Sequence, residues 1–133
     1  MTPSPDPVLI DFESRSRVDL KEIGGRNYWE HPSTEALCCA WYDTASEESG
    51  VWFPGEEWPH YGRVLAAHNA MHFDRFGAEK ELAWPADAVW IDTSNIARQM
   101  GFKGKLEALG AHYGIPKDLV ASRFTRSLST LRR

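Results

Sequence analysis

Residues 8–14 read VLIDFES, and the alternation within them decides the fold. Side chains along a strand point to opposite faces in turn, so Val8, Ile10 and Phe12 share one face and Leu9, Asp11 and Glu13 the other. The first set can build a core. The second carries two carboxylates whose Cβ atoms stand roughly 6 to 7 Å apart, from a rise of ~3.3 Å per residue. Both acids can reach one cation or one bound group. An unpaired buried charge is costly, so this face must meet water, a cation or a metal.

Outward from this strand the pattern predicts an α/β domain. VDLKEIGG (18–25) reads as a short turn of helix punctuated by Gly24 and Gly25. ALCCAWYD (36–43) and GVWFPG (50–55) read as two strands joined by the polar linker TASEES, and with the first strand they start a sheet. RVLAAHN (63–69) is near-continuously apolar, as a buried strand should be, and HFDRFGAEKELA (72–83) follows as a helix with Phe73, Phe76 and Leu82 on its inner side. DAVWIDT (87–93) is the next strand; Thr93 or Ser94 can cap a helix over SNIARQM, which Gly101 would end. KLEALGAHYG (105–114) is a further helix stopped by Gly114 and Pro116.

A chain of 133 residues, 42% hydrophobic, suffices for one compact domain with a real core and leaves no room for a second. Residues 1–7 are expected to be a disordered leader, 8–116 the domain, and 117–133, with Arg123, Arg126, Arg132 and Arg133, a basic tail or helix. No run approaches the ~20 apolar residues of a membrane span, and MTPSPDP lacks the basic and apolar regions of a signal peptide, so a cytoplasmic protein without membrane partners is expected. Cys38 and Cys39 are adjacent on a strand, where neighbouring side chains point apart, so core thiols are favoured over a mutual disulfide. A net charge of −4 argues against coating duplex DNA by general attraction and leaves open a local grip on a strand end.

The second chemical stretch is AAHNAMHFDRF (66–76), which puts Asn69 at a strand end and Asp74 in the first turns of the next helix. Ligand sites in α/β sheets lie outside such strand ends. If this strand neighbours the first, Asp74 approaches Asp11 and Glu13. Three converging carboxylates call for divalent cations, and an oxygen-only set suits Mg²⁺ or Mn²⁺ rather than Zn²⁺.

At these residues the chain resembles the DEDD (DnaQ-like) superfamily of 3′–5′ exonucleases, which share a ribonuclease H-like fold. IDFES resembles the family's first motif, Asp-x-Glu. HNAMHFDR resembles its second, in which Asn precedes a Phe/Tyr-Asp pair, here with four residues between Asn69 and Asp74 where many members have three. VWIDTSNIARQMGFKGKLEALGAHYGI is similar to the section between the second and third motifs, and SRVDLKEIGGRNYWEHPSTEALCCAWYD to the early region of phage polymerase-associated members. The likeness spans about residues 8–116. The family's third motif is not found: no Asp or Glu follows Asp118, and the spacing of His112 and Tyr113 to it is wrong, with Pro116 between them.

The resemblance implies two-metal hydrolysis of a phosphodiester at the 3′ end of a nucleic acid, single-stranded DNA favoured over RNA, with Mg²⁺ or Mn²⁺ ions roughly 4 Å apart. Asp11 would bridge both ions, Glu13 would bind the ion beside the attacking water, and Asp74 would hold the second. Asn69 would orient the terminal nucleotide, with Ser14, His68 and Phe73 also at the nucleic acid. A missing fourth carboxylate implies weak activity, activity that needs a complementing chain or a DNA polymerase partner, or a module that binds nucleic acid or a polymerase without cutting.

Simpler readings compete at single residues. An isolated Asp-x-Glu pair is usually a solvated strand face, and it is the apolar setting with the second motif that reverses this. Asn69 serves equally well as a helix cap. His68 and His72 have i, i+4 spacing but lack the intervening Glu of the metalloprotease signature, which disfavours zinc. Asp92 reads as a strand-end or capping group, the six Trp as mostly core, and the terminal arginines as a solvated end.

Overall fold

The computed structural model describes residues 6–101. Five strands and three helices alternate as β1 (Val8–Arg15), α1 (Leu20–Glu30), β2 (Glu35–Asp43), β3 (Ser49–Trp52), β4 (Leu65–Ala67), α2 (Asp74–Glu81), β5 (Trp90–Asp92) and α3 (Thr93–Gln99). They form one mixed sheet in the order β3-β2-β1-β4-β5. β1 is antiparallel to β2, and β2 to β3, whereas β1, β4 and β5 run parallel. Parallel neighbours need a crossover, and α2 supplies it between β4 and β5. The expected helix over 105–114, the residues around Asp118, residues 1–5 of the leader and the basic tail lie outside the described residues, while Asp6 and Pro7, expected to be disordered, are tied down through their carbonyls by Arg63 and Thr44.

The alternation in VLIDFES holds: Val8, Ile10 and Phe12 are buried, Leu9 and Asp11 are exposed and Glu13 is half-buried. The buried face meets α1 and α2. Phe12 stands edge-on to Trp29 at 5.5 Å and to Trp52 at 6.4 Å. Such pairs add roughly 0.5–1.5 kcal/mol beyond the area they bury. Three of the six tryptophans, Trp29, Trp52 and Trp58, are at most 4% exposed, in keeping with core roles. Cys38 and Cys39 are buried and neither is in a disulfide.

Where the helices begin and end differs from the sequence expectation. Asp19 caps α1 by accepting from the Lys21 N–H at 2.9 Å, and α1 consists of two helical segments, the first broken at Gly24 as the glycines suggested and the second reaching Glu30. Gly24, at φ 78° and ψ 164°, is not helical and forms the kink between the two segments. The reason for the neighbouring glycine is space: a Cβ on Gly25 would lie 1.8 Å from the His72 carbonyl oxygen, so α1 can lie against the β4–α2 turn only with no side chain there. α2 is shorter than predicted, since residues 69–73 form turns and Phe73, without a side-chain cap, is its N-cap. Asn69 is therefore not the cap. Its backbone is left-handed, φ 65°, and its carbonyl accepts from the His72 and Phe73 N–H groups at 3.1 Å. Nor do Thr93 and Ser94 cap α3; the Asp92 carboxylate does, one residue earlier.

The chain entering β4 is tied to the end of β2. Arg63 grips Asp43 with both terminal nitrogens, at 2.9 and 2.8 Å, and this fork holds the Asp43 carboxyl far below the usual carboxylate range. Thr44 donates to the Pro7 carbonyl at 2.6 Å. β1, β2 and β4 thus share a fixed starting line. No helix among the described residues is long and apolar enough to cross a membrane.

Gly25→Ala is expected to destabilise the protein by about 1–3 kcal/mol, because the new methyl must push α1 off the backbone of the turn. Urea denaturation measures this, and an unchanged midpoint would contradict the close approach.

Candidate functional site

β1 and β4 pair briefly. Val8 lies opposite Leu65 and Leu9 opposite Ala66, and β4 ends one residue later at Ala67. Beyond that point the side of β1 facing β4 would carry an unmatched N–H at Phe12, a buried donor that must find an acceptor. Asp74 provides it. The first residue of α2 turns its Oδ1 to the Phe12 N–H at 3.1 Å, a bond between residues 62 apart in sequence. Phe12 is the residue between Asp11 and Glu13, so this one bond brings the second acidic stretch to the middle of the first.

The electrostatics arise from that placement. Asp74 is 3% exposed; burial pushes its carboxyl up to about 8, the Phe12 N–H pulls against this, and the charge of Asp11 adds to the rise. Asp11 keeps a face to solvent, but the protein around it strips part of its hydration and Glu13 stands beside it, so its carboxyl rises to about 6. Glu13, half-buried, is raised by burial. Glu13 acts on Asp11 and Asp11 on Asp74, a row of three acids each of which resists ionisation. Behind them Cys39 is buried, its thiol held well above the usual range by burial and then by the Asp74 and Asp11 charges. It is a neighbour of the site and no nucleophile.

Asp92 makes the contrast. Its Oδ1 accepts from the Asn69 N–H at 3.1 Å, the Ser94 N–H at 3.0 Å and the Ser94 hydroxyl at 2.6 Å, and its Oδ2 from the Met71 N–H at 3.1 Å. Burial would raise this carboxyl, but the bonds from Ser94 and Met71 outweigh it and hold it below its ordinary value. Its acceptors are occupied in joining the β4–α2 turn to the start of α3. Asp92 is the strand-end and capping group that its sequence suggested.

The other predicted residues fall in different places. The Ser14 hydroxyl is engaged with Tyr28 Oη at 2.7 Å, and His68 Nδ1 lies 2.9 Å from the Thr93 hydroxyl. Phe73 packs its ring against Tyr28 and Trp29, at 5.8 and 5.3 Å, so most of its face belongs to the core. Asn69 is exposed at the mouth of the turn. Among the described residues no set of three or more His, Cys, Asp or Glu side chains is gathered in a metal-holding cluster. Asp11, Glu13 and Asp74 form a row of mutually repelling charges without closing into a cage. The donor chemistry fits Mg²⁺ or Mn²⁺ all the same: oxygen only, with burial and mutual repulsion that a cation would relieve.

The two aspartates should respond oppositely to loss of charge. Asp74→Asn is expected to leave stability within ~0.5 kcal/mol at pH below the ordinary value of 3.8, where the carboxyl is protonated folded and unfolded and the amide oxygen still accepts from Phe12, and to stabilise the protein by a growing margin as pH climbs toward about 8. Asp92→Asn removes a charge that four donors favour and should cost about 1.5–3 kcal/mol. The pH dependence separates them further. A folded-state value raised from 3.8 to about 8 makes folding take up a proton, so this contribution is lost as pH rises through that window. In Asp74→Asn the decline between pH 5 and 8 should flatten, whereas in Asp92→Asn the loss on acidification should disappear. Denaturation midpoints across pH 4–9 check both signs.

Compared with known proteins, the chain matches no family model and no curated protein.

Proposed function

We propose that this protein is a metal-dependent 3′–5′ exonuclease with a ribonuclease H-like fold, acting on nucleic acid with single-stranded DNA as the preferred substrate. One observation carries the reading: the carboxylate of Asp74, from the second motif, is bonded to the backbone of Phe12 in the centre of the first, Asp11-Phe12-Glu13. A mixed α/β sheet with β1 and β4 parallel supports it, because strands running the same way deliver their acidic residues to the same end.

Asp11 and Glu13 stand on the solvent side of β1 and Asp74 in the gap where β4 has left, so the three would hold Mg²⁺ or Mn²⁺ between sheet and solvent. Such ions would supply Lewis acidity at the phosphodiester and a more acidic water. The protein's own part is positional. β1 fixes the separation of Asp11 and Glu13, the Phe12 bond fixes Asp74, and Asn69, exposed at the turn, would meet the strand terminus. Asp74 comes from the first turn of α2, where the helix dipole favours its ionised form once a cation offsets the Asp11 charge.

A second reading, a module that binds nucleic acid or a polymerase without cutting, draws on two facts: among the described residues the three acids form no closed cluster, and the sequence offers no carboxylate after Asp118.

Purified protein incubated with 5′-labelled single-stranded DNA and Mg²⁺ or Mn²⁺ should give a ladder shortening from the 3′ end. Asp11→Ala should slow it by more than the 10–100-fold that losing an outer partner of a metal ligand costs. Retained DNA with no ladder in either protein favours the module. Independently of activity, Mn²⁺ should raise the melting temperature of the native chain at pH 8, by the equivalent of about 2.7 kcal/mol at a hundred times its Kd, and do so far less for Asp11→Asn.

A further inference from the structure

Between the end of β1 and the turn joining α1 to β2 lies a cleft of about 730 Å³ lined by Arg15, Ser16, Arg17, His31, Ser33 and Glu35. The acidic site does not use it. Its hydrogen bonds run in a determined direction. Thr34 donates its hydroxyl proton to the Tyr28 carbonyl, which leaves Thr34 Oγ1 to accept from the Ser16 hydroxyl at 2.7 Å. Ser33 Oγ accepts from the Arg17 N–H at 3.0 Å, and His31 Nδ1 accepts from the Ser33 N–H at 3.1 Å. An accepting Nδ1 leaves the proton of a neutral imidazole on Nε2. The hydroxyl acceptors are therefore engaged inside the protein, while the imidazole N–H and the Arg17 guanidinium are donors without a partner among the described residues.

Glu35 is the single acid in the lining, and it is already paired: Arg15 Nε and Nη2 both reach its Oε2 at 2.7 Å. Both side chains are more than 60% exposed, so water screens the pair and it opens at little cost. With Glu35 balanced by Arg15, Arg17 is in excess. The cleft is a local positive site on a chain of net charge −4. Its volume lies in the range that takes a nucleotide rather than a lone ion. It also abuts the acidic site, since Arg15 lies two residues beyond Glu13 along β1, roughly 6 to 7 Å.

We propose that this cleft is a phosphate-binding subsite for the backbone of a nucleic-acid strand, with Arg17 as its principal cation and His31 Nε2–H and Arg15 as additional donors. What the strand meets next, the row Glu13, Asp11 and Asp74, rests on the exonuclease reading; the binding itself does not. Guanidinium suits the task because its planar fork matches phosphate oxygens two at a time.

The test is fluorescence anisotropy with a labelled oligothymidylate in EDTA, where hydrolysis cannot interfere. Arg17→Ala should weaken binding about tenfold and Arg15→Ala/Arg17→Ala further, with the slope of log K against log salt falling by about 0.7 for each phosphate no longer neutralised. Arg17→Lys should recover most of the affinity, which a merely misfolded variant would not. Affinities and slopes unchanged in Arg17→Ala and in the double variant, or no binding by the native chain at low salt, would overturn the proposal. Thymidine monophosphate competing as tightly as the oligomer, phosphate for phosphate, would reassign the cleft to free nucleotides and overturn the strand. The two readings fail separately. Arg17-dependent binding without any Asp11-dependent cleavage removes the nuclease and keeps the cleft, while Asp11-dependent cleavage with Arg17-independent binding removes the cleft alone.

Discussion

The hydrogen bond from the Phe12 N–H to Asp74 is the constraint on which the rest of the site depends. β1 is a central strand, and every inward N–H on its β4 side needs an acceptor. The Val8 N–H finds one in the Val64 carbonyl at 2.9 Å. β4 then leaves after Ala67, and the donor at Phe12 would be orphaned at a cost of about 1–3 kcal/mol. A neutral acceptor would remove that cost without adding another. The chain instead uses a carboxyl whose ionisation is opposed by burial and by Asp11. A strained choice of this kind, made where a neutral one would serve, supports the role proposed for Asp74.

Asp92 shows what a purely structural aspartate looks like in the same neighbourhood. It too lies at the end of a parallel strand, and it is 6% exposed against 3% for Asp74. Four donors converge on it, from Asn69, Met71 and twice from Ser94, and its carboxyl is depressed. Burial raises both carboxyls, and they differ in sign of shift because the donors at Asp92 outweigh it whereas the Phe12 N–H at Asp74 does not and the Asp11 charge adds to the rise. The arrangement is also connected: Asp92 sets the conformation of residues 69–71, and that turn sets where Asp74 begins α2. A structural acid thus aims the one proposed to hold the metal.

The strand carrying the first acids was legible because a period of two with apolar residues on one side has few other meanings, and Val8 to Glu13 behave as their alternation requires. The role of Asp92 was legible too, from an acid before Thr-Ser at a strand end. The order of the strands was not, since pairing of β1 with β4 rather than β3 depends on interactions across more than fifty residues. Helix ends were misplaced where tertiary packing overrode local punctuation. Gly24 does interrupt the helix, and what the local pattern missed is the second helical segment to Glu30, held by the burial of Tyr28 and Trp29. Gly25 is needed for the His72 carbonyl, a partner no local pattern can reveal. Asn69 looked like a cap and is a left-handed turn residue, a conformation Asn tolerates better than most.

The same physics explains how a chain of net negative charge can present itself to a polyanion. A net charge of −4 argues against general attraction, so the proposed grip would come from cations concentrated over a short length. Here the irregularity of β1 does this. The strand's pairing with β2 slips between Glu13 and Ser14, which separates the acidic run from the basic residues beyond it. Past the slip Arg15 and Arg17 face the cleft while Asp11 and Glu13 keep the solvent side of the sheet. A bulge in a strand changes the direction in which later side chains project. One irregular step in eight residues therefore divides the strand into an acidic half and a basic end, the pairing of sites that the proposed metal-bound phosphodiester would satisfy at once.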